Sequence, residues 1–313
     1  MKHSKIGSKT DFRKLGREIA RNKYIYLIMS FGIFYLILFS YVPMRGLLLA
    51  FKDYKVRRGI MGSPWVGFAH FERLFREADF RRAFVNTLQI SFGRILFQFP
   101  FPILIAILVN ELRGGKGKKA LQTIYTFPHF LSWVIVAVVV GNVFESDGAA
   151  NQLIQLFGGE PQLFLADKTL FRPLLYFTDV WKESGWSSII YLSAISAISG
   201  ELYEAAAVDG ANRLQRIVHI TLPGIRSTVV VMLLLAVGGV MNGGFDQIFN
   251  MSNPTVQKVS DIIDTYIYRI TFTQATDFGF STAVGLFKSV INFVLLVSFD
   301  FVARKFEGRG IME

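Results

Sequence analysis

Long apolar stretches constrain the fold of this chain more than any other feature. A helix needs about 20 mainly apolar residues to cross the hydrocarbon core of a bilayer. Six stretches approach or exceed that length: 24–42, 83–110, 120–144, 174–199, 227–245 and 278–301. The fourth carries charged residues in its first half and is uncharged only in its second half. The sequence therefore predicts an all-α integral membrane protein with six transmembrane helices.

The composition agrees with a membrane protein. The chain is 52% hydrophobic and 18% charged, whereas soluble domains carry roughly 25% charged residues. It has no cysteine, which excludes disulfides, and a net charge of +11. Membrane proteins concentrate lysine and arginine on the cytoplasmic side, and no module that combines stacking aromatics with basic residues stands out. We therefore expect contact with membrane lipid and no binding of nucleic acid.

Basic segments predict the orientation in the membrane. Residues 1–23 hold eight lysines and arginines against two acidic residues, the sequence RGGKGKK at 113–119 adds four, and the tail adds three. Because lysine and arginine favour cytoplasmic loops, both termini are expected in the cytoplasm. The expected units are a cytoplasmic N-terminus at 1–23, a six-span domain at 24–303 and a cytoplasmic tail at 304–313.

The connector between the fourth and fifth stretches, residues 201–225, is predicted to be a short cytoplasmic helix-turn-helix. Ser199 is placed to cap its first helix, and Glu201 falls in the first turn, where a carboxylate is favoured. The pair Asp209-Gly210 signals the turn that ends this helix. Three apolar residues recur on one face of the second helix, which a proline limits: Leu214, Ile217, Val218 and Pro223. Such a rigid element can transmit force from a soluble partner into the two spans that it joins.

The same connector resembles the cytoplasmic loop of the membrane subunits of binding-protein-dependent ABC importers. In that signature Glu-Ala-Ala is followed by three residues, a glycine, nine residues and Ile-x-Leu-Pro, and every spacing is present here. The resemblance implies a type I ABC importer-like transmembrane domain, in which the loop 201–223 docks in a groove of a separate ATPase subunit. The coupling residues that it implies are Glu204, Ala205, Ala206, Asp209, Gly210, Ile220, Leu222 and Pro223.

Three further segments resemble permeases of carbohydrate importers, above all the subgroup for complex or uronate-containing oligosaccharides. They read GLLLAFKDYKVRRGIMGSPWVGFAHFERLF, FPFPILIAILVNEL and FDQIFNMSNP. The resemblance implies a permease subunit in the bacterial inner (plasma) membrane that forms half of the translocation pathway for an oligosaccharide. It also implies a second permease subunit, expected to make a heterodimer, two ATPase subunits and an extracytoplasmic solute-binding protein.

The chain itself is expected to bind no cofactor and to catalyse no reaction. The basic turn at 113–119 lacks the spacing of a phosphate-binding loop, and the four histidines are scattered without metal-ligand spacing. ATP and Mg²⁺ are therefore expected to be used by the partner ATPase subunits. An ion-gradient-driven secondary transporter or channel is the alternative, although the chain shows no internal repeat. A purely structural membrane scaffold is disfavoured by the coupling signature.

Polar residues in or near the spans are candidates for the substrate pathway, because an ionisable residue is costly in lipid. Arg94 and Lys288 lie inside apolar stretches, unless they extend to the outer interface. The other candidates mix charge, amide and aromatic groups that suit a sugar, although helix packing explains each of them equally well. They are Asp179, Trp181, Glu183 and Trp186 in the fourth stretch, and Asn242, Phe245, Asp246 and Gln247 around the end of the fifth.

One loop runs against the charge rule. Residues 43–83 hold nine basic and four acidic residues, yet the predicted topology places them outside the cell. Three explanations stay open: attraction of an anionic oligosaccharide such as a uronate chain, docking of an acidic surface of the binding protein, or ion pairs within the loop. In the first case, Arg94 and Lys288 would pair with carboxylates of the substrate.

Overall fold

The computed structural model describes residues 20–112, 114–273 and 276–307. These residues are helical, as predicted, and form no strand; extended backbone pairs at an isolated antiparallel bridge between Lys52 and Trp65. Most of the predicted basic N-terminus, residues 1–19, lies outside the described residues. The same holds for residues 308–313 of the predicted tail.

The α-helices follow one another with short connections. In chain order they are α1 Lys23–Leu36, α2 Gly59–Gly62, α3 Ala69–Arg76, α4 Ala78–Gln98, α5 Pro100–Glu111, α6 Lys116–Thr126, α7 Trp133–Phe144, α8 Ala149–Leu156, α9 Phe171–Ser196, α10 Gly200–Val208, α11 Arg213–Arg216, α12 Leu222–Gly224, α13 Arg226–Gly238, α14 Phe245–Met251, α15 Gln257–Ser260, α16 Ile263–Tyr268 and α17 Phe278–Glu307. Tighter 3₁₀ segments cover Val42–Phe51, Val56–Arg58 and Phe127–Phe130, and wider π segments cover Ile37–Tyr41, Ile217–Thr221 and Arg269–Thr273.

Four helices in the described part of the chain are long and apolar enough to cross a membrane, or five when one bent pair is counted as a single span. The four are Lys23–Phe51, Ala78–Glu111, Trp133–Leu156 and Phe278–Phe301, and the bent pair joins Arg213–Gly224 to Arg226–Gly238 at 60°. These helices support the prediction of an integral membrane protein. Their number, four or five, is smaller than the six spans predicted from the sequence.

The predicted bounds of three spans differ from the helices observed. Helical backbone of the first stretch continues to Phe51, so the basic loop begins later than residue 43. The stretch 120–144 is broken after a 3₁₀ turn that contains Pro128, because proline cannot donate the next helical hydrogen bond. The helix of the fifth predicted span, α13, ends at Gly238, because consecutive glycines weaken a helix. Apolar composition therefore located these segments without fixing their ends.

Three clusters of buried apolar side chains hold the helices together. The first lies where α4, α7, α9 and α14 meet, and includes the fully buried Ile248. The second joins α3, α4, α16 and α17 around Tyr266 and Phe280. The third packs α5 and α9 against the start of α13, around Tyr191 and Ile225. Because lipid chains are as apolar as these side chains, the clusters stabilise the helices by close packing rather than by removal from water.

Candidate functional site

A polar cavity of about 320 Å³ lies between α4, α9 and the segment that follows α13. Its polar lining consists of Ser91, Arg94, Gln98, Asp179, Glu183, Ser187 and Asn242. Four of these, Arg94, Asp179, Glu183 and Asn242, are predicted pathway residues that the fold brings together from three separate parts of the chain. The cavity combines a cation with carboxyl, amide and hydroxyl groups, which are the groups that hydrogen-bond to a sugar. We call it the Arg94 cavity.

Arg94 is positioned by an amide rather than by an acid. Its guanidinium donates to the side-chain oxygen of Gln247, a residue only 1% exposed. The Gln247 nitrogen in turn donates to the carbonyl of Leu175 and the hydroxyl of Thr178, both at 2.8 Å. Among the described residues, no carboxylate lies within ion-pair distance of Arg94. An amide thus holds the arginine, and the carboxyl groups of Asp179 and Glu183 line the same cavity beyond ion-pair distance.

The backbone beside Arg94 depends on glycine. Gly244 precedes α14 with a φ of +82°, and a β-carbon at that position would overlap the Arg94 guanidinium. Any other residue would be strained there and would also displace the cation. Gly244 thus leaves room for the Arg94 guanidinium beside Gln247.

Glu183 belongs to a second polar group that the sequence did not reveal. Its carboxylate contacts the ammonium of Lys182 at 2.8 Å and Nδ1 of His129 at 2.6 Å. The Lys182 ammonium also donates to the carbonyl of His129 at 2.9 Å, and the imidazole stacks on Trp186 with ring centroids 4.9 Å apart. His129 is thus a functional candidate that sequence reasoning missed, and Pro128, which shapes the turn, was its nearest local signal. Lys182 lies in the predicted group of polar and aromatic residues of the fourth stretch.

Several predicted pathway residues lie away from the lining of the Arg94 cavity. Trp181 and Trp186 are 43% and 44% exposed, and Asp246 is also exposed. The ring of Phe245 stacks on Phe249 instead, with centroids 5.1 Å apart. Their contribution to a pathway stays a prediction.

Lys288 is engaged by a carboxylate of the same chain. Its ammonium lies 2.6 Å from Asp264, and both side chains are largely buried, at 17% and 22% exposed. The residue is not part of the lining of the Arg94 cavity. The two cations predicted to act together therefore have different surroundings.

The connector after α9 folds as the sequence predicts. The Ser199 hydroxyl accepts a hydrogen bond from the backbone N–H of Glu201, and Gly210 has a φ of +76°. The N–H of Ala211 then reaches back to the carbonyl of Ala206 at 2.8 Å, which closes the end of α10. The end of α10 and the turn at Asp209-Gly210 are thus fixed by local hydrogen bonds.

The second half of the connector is also stabilised locally. Asn212 and Gln215 form a reciprocal capping box at the start of α11. The hydroxyl groups of Tyr203 and Thr221 lie 3.0 Å apart and join the two helices. Helical backbone continues one residue beyond Pro223 and then bends by 60° into α13.

The connector exposes apolar side chains that the chain itself does not cover. α10 buries none of its residues. Five large apolar side chains of α10–α12 and their turns are exposed: Leu202 54%, Val208 89%, Leu214 69%, Val218 45% and Leu222 39%. An exposed apolar patch rimmed by polar groups marks an interaction surface. We call residues 200–224 the coupling segment, and the docking roles of its residues stay predictions.

Comparison with known proteins identifies the family. Residues 98–308 match the family described as binding-protein-dependent transport system inner membrane component. The chain belongs to this family. It is therefore a membrane subunit of an ABC transport system and not an enzyme, which confirms the resemblance of the coupling signature. The same assignment does not favour an ion-gradient-driven transporter.

Relatives resemble this chain along nearly its whole length. Protein LplB of Bacillus subtilis is 43% identical over 94% of this chain and 92% of its own length. The polygalacturonan/rhamnogalacturonan transport system permease protein YteP of Bacillus subtilis is 43% identical over 98% and 95%. A crystal structure of a bacterial ABC transporter involved in the import of the acidic polysaccharide alginate matches with a TM-score of 0.87 and 38% identity, over 96% of this chain and 100% of that one.

Proposed function

We propose that this chain forms half of the translocation pathway of an ATP-driven importer of acidic oligosaccharides. The observation that carries the proposal is the likeness, over nearly the whole chain, to a polygalacturonan permease and to an alginate importer. Both polymers consist of uronate units, each with one carboxylate. The Arg94 cavity supports the proposal, because its cation is held by an amide and forms no ion pair among the described residues. The carboxyl groups of Asp179 and Glu183, which line the same cavity, can accept hydrogen bonds from sugar hydroxyl groups.

The test compares two substrates that differ in charge. Uptake of an oligogalacturonate and of a neutral oligosaccharide of equal length is measured in vesicles that contain the complete transporter. Arg94→Gln is expected to lower uptake of the charged sugar by about tenfold or more, as the loss of a charge-assisted hydrogen bond implies, and to affect the neutral sugar less. The double substitution Lys288→Gln, Asp264→Asn is the matched control, because this ion pair lies outside the cavity and its joint removal leaves no unpaired charge. Equal losses for both sugars, or a wild type that prefers the neutral one, would contradict the proposal.

We also propose six spans, with both termini and the coupling segment in the cytoplasm. α9 supplies the sixth span, which is absent from the count of long apolar helices. Its 26 residues extend about 39 Å, which is long enough to cross a bilayer. Its charged residues Asp179 and Lys182 are only 8% and 5% exposed, so they are covered by protein rather than by lipid. The chain has no native cysteine, so single cysteines report the topology directly. We expect Lys116→Cys to be labelled only from the cytoplasm and Met61→Cys only from outside; the reverse pattern would refute this topology.

The partners follow from the same proposal. The exposed apolar surface of the coupling segment supports docking of an ATPase subunit, two of which would use ATP and Mg²⁺. A second permease subunit would complete the pathway as a heterodimer, and an extracytoplasmic solute-binding protein would deliver the sugar. A related structure holds the alginate transporter in complex with alginate pentasaccharide-bound periplasmic protein. Copurification followed by mass spectrometry tests this composition, and recovery of the chain without an ATPase would contradict it.

A further inference from the structure

A second cavity, of about 260 Å³, lies beside the Arg94 cavity and is bounded by α14, α15 and α16. We call it the aromatic pocket. Its lining includes Phe249, Gln257, Ser260, Thr265 and Tyr268. Phe249 belongs to the segment FDQIFNMSNP, whereas the other four residues follow it within 20 residues of chain and were not predicted as pathway residues.

Two aromatic rings form one wall of the aromatic pocket. Phe249 and Tyr268 meet edge to face, with centroids 4.8 Å apart and planes at 71°. Phe249 is 44% exposed, so part of its ring remains open to a ligand. The C–H face of a pyranose packs well against such an apolar ring, while its hydroxyl groups need polar partners.

The other wall is polar and carries no net charge. Asp261 accepts hydrogen bonds from the hydroxyl of Thr265 at 2.8 Å and from the guanidinium of Arg269, with which it forms an ion pair. Burial raises the pKa of the Asp261 carboxyl, while the contacts with Thr265 and Arg269 act in the opposite direction. Because the two charges compensate each other, this wall suits neutral hydroxyl groups better than a carboxylate.

One hydroxyl group in the aromatic pocket is buried without a partner. Ser260 is 1% exposed, and within the described residues its Oγ makes no hydrogen bond. Buried polar atoms are almost always paired in folded proteins, so an unpaired one requires an explanation. A ligand hydroxyl in the aromatic pocket would supply the missing hydrogen bond.

The short helix α14 separates the two cavities. Its Gln247 faces Arg94, whereas Phe249, two residues further on, lines the aromatic pocket. Two units of one chain-like ligand can therefore bind on either side of α14, one beside Arg94 and one against aromatic rings and hydroxyl groups.

We propose that the aromatic pocket is a second saccharide subsite, which binds one sugar unit of an oligosaccharide while the Arg94 cavity binds a neighbouring unit. The subsite rests on the proposed function of the chain. It recognises the C–H face and the hydroxyl groups of a sugar and contributes little to selection for charge. Only oligosaccharides long enough to occupy both cavities gain from it.

The test is the chain-length dependence of uptake. Apparent KM values for an acidic disaccharide and an acidic tetrasaccharide are measured in vesicles that contain the complete transporter with its binding protein. Ser260→Ala and Phe249→Leu are expected to raise the KM of the tetrasaccharide by about two- to tenfold, the effect of one lost hydrogen bond or ring contact, and to leave the disaccharide unchanged. Phe157→Leu is the matched control, because this ring is 91% exposed and lies outside the lining.

The outcomes separate the subsite from the proposed function. A wild type that transports neither acidic sugar overturns both. A wild type that transports them, with Ser260→Ala and Phe249→Leu at wild-type KM for the tetrasaccharide, overturns the subsite alone. Equal losses for disaccharide and tetrasaccharide would mean that the two residues only support packing, which also overturns it.

Discussion

At the scale of single residues, Lys288 and Asp264 form a largely buried ion pair between α17 and α16. Removing one partner of such a pair leaves an uncompensated charge, at a cost of about 3 kcal/mol or more. We expect Lys288→Met to lower the thermal unfolding temperature of the purified protein. The double substitution Lys288→Met, Asp264→Leu should recover most of the loss, because no unpaired charge remains. A double variant no more stable than the single one would show that the pair is not what stabilises this contact.

Gly210 offers a second test at this scale. Its φ of +76° is closed to proline, whose φ is fixed near −65°. Gly200 is the matched control, because it is the first residue of α10 after the cap, where proline is well tolerated. We expect Gly210→Pro to abolish uptake and Gly200→Pro to retain it, at equal abundance in the membrane. Normal uptake by Gly210→Pro would remove the coupling segment from the mechanism.

The sequence alone predicted the conformation of Gly210 but not the surroundings of Lys288. The Asp209-Gly210 turn could be predicted because its cause is local backbone geometry. The different surroundings of Arg94 and Lys288 could not, since each is a single cation in an apolar stretch. The acid that neutralises Lys288 is 24 residues away, and the amide that holds Arg94 is 153 residues away. Only the packing of the helices brings these groups together.

At the scale of secondary structure, short connectors were predicted better than membrane spans. Caps, turn and capping box of the coupling segment are set by hydrogen bonds within about four residues. The ends of the spans are set by proline, by glycine and by neighbouring helices, which an apolar window does not register. α9 is the clearest case, because its charged first half is a regular helix whose polar groups are buried against other elements.

The coupling segment also supplies a prediction at this scale. Glu204 lies on the exposed α10, and no ion pair within the described chain involves it. Glu204→Lys reverses the charge of the docking surface and should lower the ATP hydrolysis that the loaded binding protein stimulates in reconstituted vesicles. Glu160→Lys, an equal change on the exposed connection before α9, is the control. Equal stimulation of both variants and wild type would count against docking at Glu204.

At the scale of the whole molecule, the first part of the first span is uncovered within the described chain, whereas its end at Val42–Phe51 packs against α17. From Lys23 to Tyr41 it buries no residue. A helix that is apolar on all sides must be covered by lipid or by another subunit. The sequence predicted the span, but what covers it depends on the complete assembly, which no single chain determines.

The charges of the loop 43–83 are unevenly paired. Each of its four acidic residues contacts a basic residue of the same loop: Asp53 with Lys55, Glu72 with Arg76, Glu77 with Arg73, and Asp79 with Arg82. Pairing within the loop, one of the three explanations, thus accounts for four of the basic residues. Arg57 and Arg58 remain exposed and have no ion pair among the described residues.

These two arginines are expected to attract an acidic oligosaccharide over a distance. Arg57→Gln, Arg58→Gln should lower the uptake of an oligogalacturonate at about 0.01 M salt, where the screening length is about 30 Å, and much less at about 0.15 M, where it is about 8 Å. Arg57→Lys, Arg58→Lys is the control, because it keeps both positive charges and should leave uptake unchanged. If uptake of a neutral oligosaccharide falls equally, the arginines bind an acidic surface of the binding protein instead, because docking affects every substrate alike whereas steering acts only on a charged one.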